Sequence, residues 1–401
     1  MKDIEKIISK DVEQDHDYVV SLRRYFHKHA ELSKKEYNTA RYIESELDKL
    51  GLIHKRVGET GVYSEIKGLK EGNDTIILRA DIDALPIEEV SNKEYKSENI
   101  GVMHACGHDA HAASLLGAAR VLVKNKDKFG GTIKLHFQQA EEVGFGAREF
   151  INQGVLKKGE ATRTFGLHLA SNITCGKIAV VMGPNNASVD WFRINVHGKG
   201  CHVSTPERGV DSAYVASQIL IGLQSLVTRR VNPMENVLIG VGKLVAGTAY
   251  NVVAEEAYLE GTIRALSESV RAKVKKDLEN LATLTAQIYG ATVDFEWNDN
   301  TSALINDSKS SEEVQGVAKR LFGEANVITK RTPSLGGDDF AEYIKLIPGC
   351  YAYVGSQDIN RSETCVAHHD SHFDIDEDCL LTSVKILSTY AIEYLNKDLD
   401  W

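Results

Sequence analysis

Two hydrophobic periods succeed one another along this chain, and the switches between them outline its elements. From Tyr37 to Leu50, Ala40, Ile43, Leu47 and Leu50 recur at helical spacing and Gly51 follows, which predicts an amphipathic helix with a glycine stop. Thr75 to Leu78 is instead a short β-branched apolar run, the mark of a buried strand, and it feeds into Arg79-Ala80-Asp81-Ile82-Asp83. The same succession returns with a helix-like Ala112 to Lys124, a Gly130-Gly131 break, and a strand from Thr132 to Phe137 that runs into Glu141-Glu142. Strands alternating with helices predict an α/β domain with a mainly parallel sheet, whose strand ends gather polar residues.

The pattern changes at Gly183-Pro184-Asn185-Asn186, a turn-rich crossing. Beyond it, Trp191 to Val196, Val237 to Val241, Ala257 to Ile263 and Thr292 to Trp297 read as strands, with helices near Ser212 to Val227 and Ser267 to Tyr289. That suits a smaller α+β sheet with helices on one face. Asn298-Asp299-Asn300-Thr301-Ser302 is polar and turn-prone, and helix and strand alternate again after it. The expected organisation is a catalytic domain over 1–183 and 300–401 interrupted by an inserted domain over 184–299.

Length agrees, since 401 residues exceed what one hydrophobic core usually serves. A net charge of −10 repels phosphate backbones, which argues against a nucleic-acid partner. Met1 to Lys10 has no apolar core of a signal peptide, and no run approaches the ~18 apolar residues of a membrane span, so no membrane association and a cytoplasmic location are expected. The six cysteines form no C-x-x-C pair, a usage that fits reduced thiols better than a disulfide framework.

Chemistry concentrates in Met103-His104-Ala105-Cys106-Gly107-His108-Asp109-Ala110-His111, where a thiol, three imidazoles and a carboxylate share nine positions. Thiolate and neutral imidazole are good ligands for divalent metals, and Asp109 could orient a histidine through its second nitrogen. Glu141-Glu142 follows a strand; in extended backbone adjacent side chains diverge, so one carboxylate can bind metal while the other faces an attacking water. His168 lies inside the apolar run Phe165-Gly166-Leu167-His168-Leu169, where a buried imidazole needs a partner. His368-His369-Asp370-Ser371-His372 offers three more imidazoles, not all of them ligands, and a histidine-rich surface loop is the plain alternative. His202, in the glycine-rich loop Gly198 to Pro206, is either an ordinary turn residue or a hydrogen-bond donor to a developing oxyanion.

Taken in order, these segments resemble the metallopeptidase family of aminoacylases, carboxypeptidase G and the plant hydrolases of indole-acetyl amino acids, the last branch above all. The resemblance spans nearly the whole chain: Arg23-Arg24 with His27 to Leu32, Arg79 to Pro86, the Cys106 cluster, Glu141-Glu142, Gly166-Leu167-His168, the His202 loop, and Gly247-Thr248-Ala249-Tyr250-Asn251-Val252. It implies a zinc-exopeptidase type of catalytic domain with a ferredoxin-like lid or dimerisation domain inserted. It implies two divalent metals per subunit, zinc or manganese or else cobalt or nickel, held by Cys106, His108, Glu142, His168 and His369. His369 is preferred to its neighbours because it lies four residues before Phe373, as in the family motif. Glu141 would be the general base and Asp83 a carboxylate behind the ligands. His202 and substrate-binding Asn251 would reach the site of the other subunit in a homodimer.

Ala30, Gln139 and Gly337-Asp338-Asp339-Phe340 depart from the family's usual Pro, Pro and Ser-Glu-Asp-Phe without removing an implied ligand. The implied reaction is hydrolysis of an amide bond in an N-acyl amino acid or a similar small conjugate. A dipeptidase or carboxypeptidase using the same site is the nearest alternative. A thiol amidase with Cys106 as nucleophile would leave Glu141-Glu142 and His168 without a role. A binding protein that kept the fold would more naturally lack one of the ligands or the base.

Overall fold

The computed structural model describes residues 1–397. The chain forms two compact units, one from Met1–Gly183, Asn306–Thr332 and the stretch from Asp338 onward, the other from Pro184–Ile305 with Pro333–Gly337.

The first unit is built on an eight-stranded sheet, in the order His54–Val57, Gly61–Lys67, Gly130–Gln138, Lys70–Asp81, Arg163–Thr174, Gly349–Gln357, Ile178–Ala179 and Val327–Ile328. The four long strands from Gly130–Gln138 to Gly349–Gln357 are parallel neighbours, and antiparallel pairs flank them. The parallel strands are covered on both faces: Ile76, Ile77 and Leu78 are all fully buried, which is why they read as an unbroken apolar run. Helices His108–Lys124 and Cys379–Asn396 pack together and are buried almost all round. Gly117 permits this approach, since a Cβ there would lie 2.7 Å from Val19 and 3.0 Å from Val384. The start of helix His108–Lys124 is thereby fixed beside the ends of the parallel strands.

The second unit has a four-stranded antiparallel sheet, in the order Thr292–Thr301, Val189–His197, Glu256–Ala265 and Val237–Ala246. Phe192, Ile194 and Val196 are buried against helices Ser212–Arg229 and Glu268–Ile288, while Arg193, Asn195 and His197 alternate with them on the open face. Asp211 caps the first of these helices through the Ala213 and Tyr214 N–H groups. The polar run after Trp297 was expected to turn, and it does not. Asn298 pairs with Trp191 and Asp299 with Asp190, so the strand continues to Thr301. An edge strand with one open face can carry polar residues and still bond through its backbone. The return to the first unit accordingly falls at Asn306.

Candidate metal centre

The ends of two parallel strands, a neighbouring strand and one helix start bring the donors together. Strand Lys70–Asp81 delivers Asp81 and Asp83, the segment after Gly130–Gln138 delivers Glu141 and Glu142, and strand Arg163–Thr174 carries His168. Gly107 precedes helix His108–Lys124 with φ 87°, a conformation that favours glycine, and sets Cys106 outside the helix and His108 at its first position. Among the described residues five groups of donor atoms each lie within 4.8 Å of one another, and three of them hold the implied ligands: Cys106 with His108 and His168, Cys106 with Glu142 and His369, and His108 with Glu141 and Glu142. All five residues implied as ligands fall in these groups, with Cys106 common to two of them. His369, at φ 69°, is held by its own N–H donating to the Ala105 carbonyl at 2.8 Å, and its Nε2 lies 3.5 Å from Glu142 Oε2.

Hydrogen bonds decide which histidines have a nitrogen to offer. His168 Nδ1 lies 2.7 Å from the Leu169 carbonyl, so Nδ1 carries the proton and the Nε2 lone pair faces Cys106 Sγ at 3.4 Å. His108 Nδ1 lies 3.1 Å from Asp83 Oδ1, and its Nε2 has no hydrogen-bond partner among the described residues. Asp83 also accepts from Ser33 Oγ and from the Glu142 N–H through Oδ2, at 2.7 and 3.0 Å, and so ties one candidate ligand to the backbone of another. His111, by contrast, has both nitrogens engaged: Nδ1 with Asp81 at 2.5 Å and Nε2 accepting from the Leu169 N–H at 3.0 Å. The His368 ring packs between those of His168 and Phe373.

Asp109 does not orient any histidine of its own cluster. One position on from His108 it points elsewhere on the helix, and its Oδ2 receives Arg23 Nε and His27 Nδ1, both at 2.8 Å. Arg23, wholly buried, also binds Asp374 at 2.7 Å and Glu377 at 3.2 Å.

The carboxylate pair depends on contacts that no local pattern announces. Ala140, just before Glu141, has φ 52°, and its N–H donates to Glu36 Oε1 at 2.9 Å. Glu36 Oε2 accepts from Thr60 Oγ1 at 2.7 Å, and burial, together with the Asp83 charge, pushes the Glu36 carboxyl up to about 7. Beneath the pair, Arg79 is buried among Gln138, Asp81 and Asp339, with Asp338 at 3.4 Å. Asp338 is also bonded to the Tyr351 hydroxyl, and Gln139 donates to the Val57 carbonyl at 3.2 Å, so these two of the departures from the family motif make hydrogen bonds inside the unit. No signal for Glu36 came from the sequence analysis.

Electrostatically the cluster is short of positive charge. Burial, then Asp338 and Glu142, raises the Glu141 carboxyl well above the usual carboxylate range, and burial with Glu142 and Glu141 raises the Cys106 thiol likewise. Against the cost of burial, Asp81, Asp83 and Glu142 push the His108 imidazole up to about 10. Buried and unpartnered donors, His108 Nε2 and Glu142 Oε1, amid surplus carboxylate charge and one thiol fit divalent cations of the zinc type. A cation there would draw the protons off Cys106 and His108.

Such donors at the ends of parallel strands, with a further carboxylate beside them, define a hydrolase that uses two divalent metals on amide or peptide bonds. The comparisons with known proteins agree. Residues 77–393 match Peptidase family M20/M25/M40, and the chain belongs to that family. It is 36% identical to "Thermostable carboxypeptidase 2" of Saccharolobus solfataricus, over 98% of this chain and 100% of that one. It is 36% identical to "N-acetyl-L-cysteine deacetylase" of Bacillus subtilis, over 95% and 89%. The crystal structure of the Bacillus subtilis YXEP protein, described as a dinuclear metal binding peptidase from the M20 family, superposes with a TM-score of 0.83 at 33% identity, over 96% and 99%.

Proposed function

We propose that this chain is a metal-dependent amidohydrolase that cleaves the amide bond of an N-acyl amino acid or a similar small conjugate. Cys106, His108, Glu142, His168 and His369 would hold two divalent cations, zinc or manganese first for this mixture of donors, cobalt or nickel next. When bound, such a pair lowers the pKa of the attacking water and polarises the scissile carbonyl. Glu141 takes the proton from that water and returns it to the leaving amine nitrogen. Asp83 keeps the His108 ring in its orientation, and Ser33 and the Glu142 N–H keep Asp83 in place.

Glu141 carries this reading. It is a buried carboxyl of raised proton affinity whose Oε2 stands 3.9 Å from the unpartnered Nε2 of His108, where a base is needed beside the metals. His202 and Asn251, carried by the inserted unit of the other subunit in a homodimer, would stabilise the oxyanion and bind substrate. In support, the Val203 N–H donates to the Asn251 carbonyl at 3.1 Å and His202 bridges Val252, which keeps the two residues side by side. Under this reading the inserted unit, whose main stretch is Pro184–Ile305 rather than the expected 184–299, is a lid and dimerisation domain.

Short peptides are the second substrate class, favoured by the carboxypeptidase name of the Saccharolobus relative. A thiol amidase is disfavoured: burial keeps Cys106 protonated, and burial with His111 and His368 leaves its neighbour His168 a weak base. All six cysteines are free, in keeping with the cytoplasm, and among the described residues no helix is long and apolar enough to cross a membrane.

The test is amine release from N-acyl amino acids and dipeptides by protein as isolated, after chelation, and after metal add-back. Loss on chelation with recovery on add-back is expected, and Glu141→Gln should lose ~10²–10⁴-fold in kcat with metal content unchanged. Activity that survives chelation, or a fully active Glu141→Gln, overturns the reading.

A further inference from the structure

A cavity of about 290 Å³ in the first unit is lined by none of the five candidate ligands. Buried Thr60 and Gln139, half-buried Phe145 and Glu149, and exposed Lys34 and Glu59 contribute to its wall. Its three charged side chains have no ion-pair partner among the described residues. Lys34 Nζ rests 3.7 Å from the centre of the Phe145 ring, a contact that holds an ammonium without using its three donors. The two carboxylates receive neutral donors: Glu59 the Tyr37 hydroxyl at 2.5 Å, and Glu149 the Gln153 side-chain amide at 2.9 Å. Gln139 turns its Nε2 to the Val57 carbonyl, and its buried Oε1 has no hydrogen-bond partner among the described residues. A small cavity thus gathers an ammonium, two carboxylates and an amide oxygen with capacity to spare.

We propose that this cavity binds a free α-amino acid, a basic one by preference, and that its occupancy slows turnover. The charges select the ligand. One ammonium facing two carboxylates leaves a net negative charge, which a lysine-like molecule balances with a carboxylate for Lys34 and two cations for Glu59 and Glu149. The size agrees, since ligand pockets span ~300–1,000 Å³ and this one, at their lower limit, admits a single small molecule. The effect on rate rests on the amidohydrolase reading above, in which an amino acid is a product. Lys34 and Thr60 both donate to Glu36, through a backbone N–H at 3.0 Å and a hydroxyl at 2.7 Å. Glu36 in turn holds the Ala140 N–H at 2.9 Å, one residue before Glu141. Gln139 and Phe145 stand at the two ends of that turn, and the Phe145 N–H donates to the Ala140 carbonyl at 3.1 Å. A ligand that draws on Lys34 and Gln139 therefore pulls on the support of the general base, and lost alignment there costs rate rather than substrate binding.

The experiment is calorimetric titration of metal-loaded protein with L-lysine, with cadaverine, which lacks its carboxylate, and with 6-aminohexanoate, which lacks its α-ammonium. Wild type should bind lysine ~10-fold more tightly than either analogue. Lys34→Gln and Glu149→Gln, which keep the shape of each side chain, should each raise the Kd for lysine ~10-fold, and Lys34→Arg should recover most of the affinity. Binding at the metals themselves would survive both glutamine substitutions. Lysine affinity unchanged in both, or no binding to wild type, overturns the proposal. The rate is read on N-acetylmethionine: saturating lysine should lower the kcat of wild type ~3–10-fold with KM unchanged, and leave Glu149→Gln unaffected at the same concentration. A rise in KM alone would mark competition at the metal centre and overturn the effect on turnover. If wild type does not hydrolyse N-acetylmethionine, the amidohydrolase reading falls on this substrate class, and the titration still decides the site.

Discussion

Glu36→Gln separates the charge of Glu36 from its hydrogen bonds. The carboxyl receives the Ala140 N–H at 2.9 Å and the Lys34 N–H at 3.0 Å on Oε1, and the Thr60 hydroxyl at 2.7 Å on Oε2. A glutamine can keep all three, because its oxygen accepts the two N–H groups and its amide donates to the rotatable Thr60 hydroxyl. What it removes is a buried charge. Burial, followed by the Asp83 charge, raises the Glu36 carboxyl from an ordinary 4.5 to about 7. Between those values the folded state holds a proton that the unfolded state releases, so this group's contribution to stability falls as pH rises through the window and stays low above it. Two to three pKa units correspond to ~3 kcal/mol. Spread over a unit of about 270 residues, that is ~5 °C in Tm. Chelated Glu36→Gln protein should therefore melt ~5 °C above chelated wild type at pH 8 and match it at pH 4.5. Chelation removes the pH dependence of metal binding from the comparison. A difference that is the same at both pH values would show that the charge of Glu36 is not the cause.

Three further outcomes are expected. Glu36→Ala leaves the Ala140 N–H without its acceptor, and the resulting drift of Glu141 should lower kcat ~10–100-fold with metal content retained; an unchanged kcat would show that the left-handed turn holds by itself. Gly146→Ala would place a Cβ 1.7 Å from the Gln139 carbonyl oxygen, so the loop that carries Glu141 and Glu142 must move; kcat should fall ~10²-fold while circular dichroism stays native, and normal turnover would contradict the packing described. Arg23→Met takes the permanent cation from the buried Asp109 and leaves it His27 as partner, at a cost of ~3–5 kcal/mol in chemical denaturation; adding Asp109→Asn should recover part of it, and simple additivity would show that the two are not coupled.

The sequence alone determined the inventory of elements and donors. Helical and alternating periods follow from which side chains must be buried, and those are local facts, so the parallel core strands, the inserted sheet and the amphipathic helices were legible. The candidate donors stood out too, because thiol, imidazole and carboxylate groups at such density, arranged in a familiar order, have few structural uses. What the tertiary structure decided was the partner of each group. Asp83 rather than Asp109 faces the His108 ring, His111 is fully engaged inside the fold, and the polar run after Trp297 is a strand because Val189–His197 lies alongside it. The bond between Glu36 and Ala140 joins residues 104 apart, and the Lys34 ammonium meets the Phe145 ring only because the chain returns to the same place after Gly130–Gln138. Propensity and spacing act over a few residues. Hydrogen bonding, burial and charge act through space, and they become definite only once the path of the chain sets which distant residues meet.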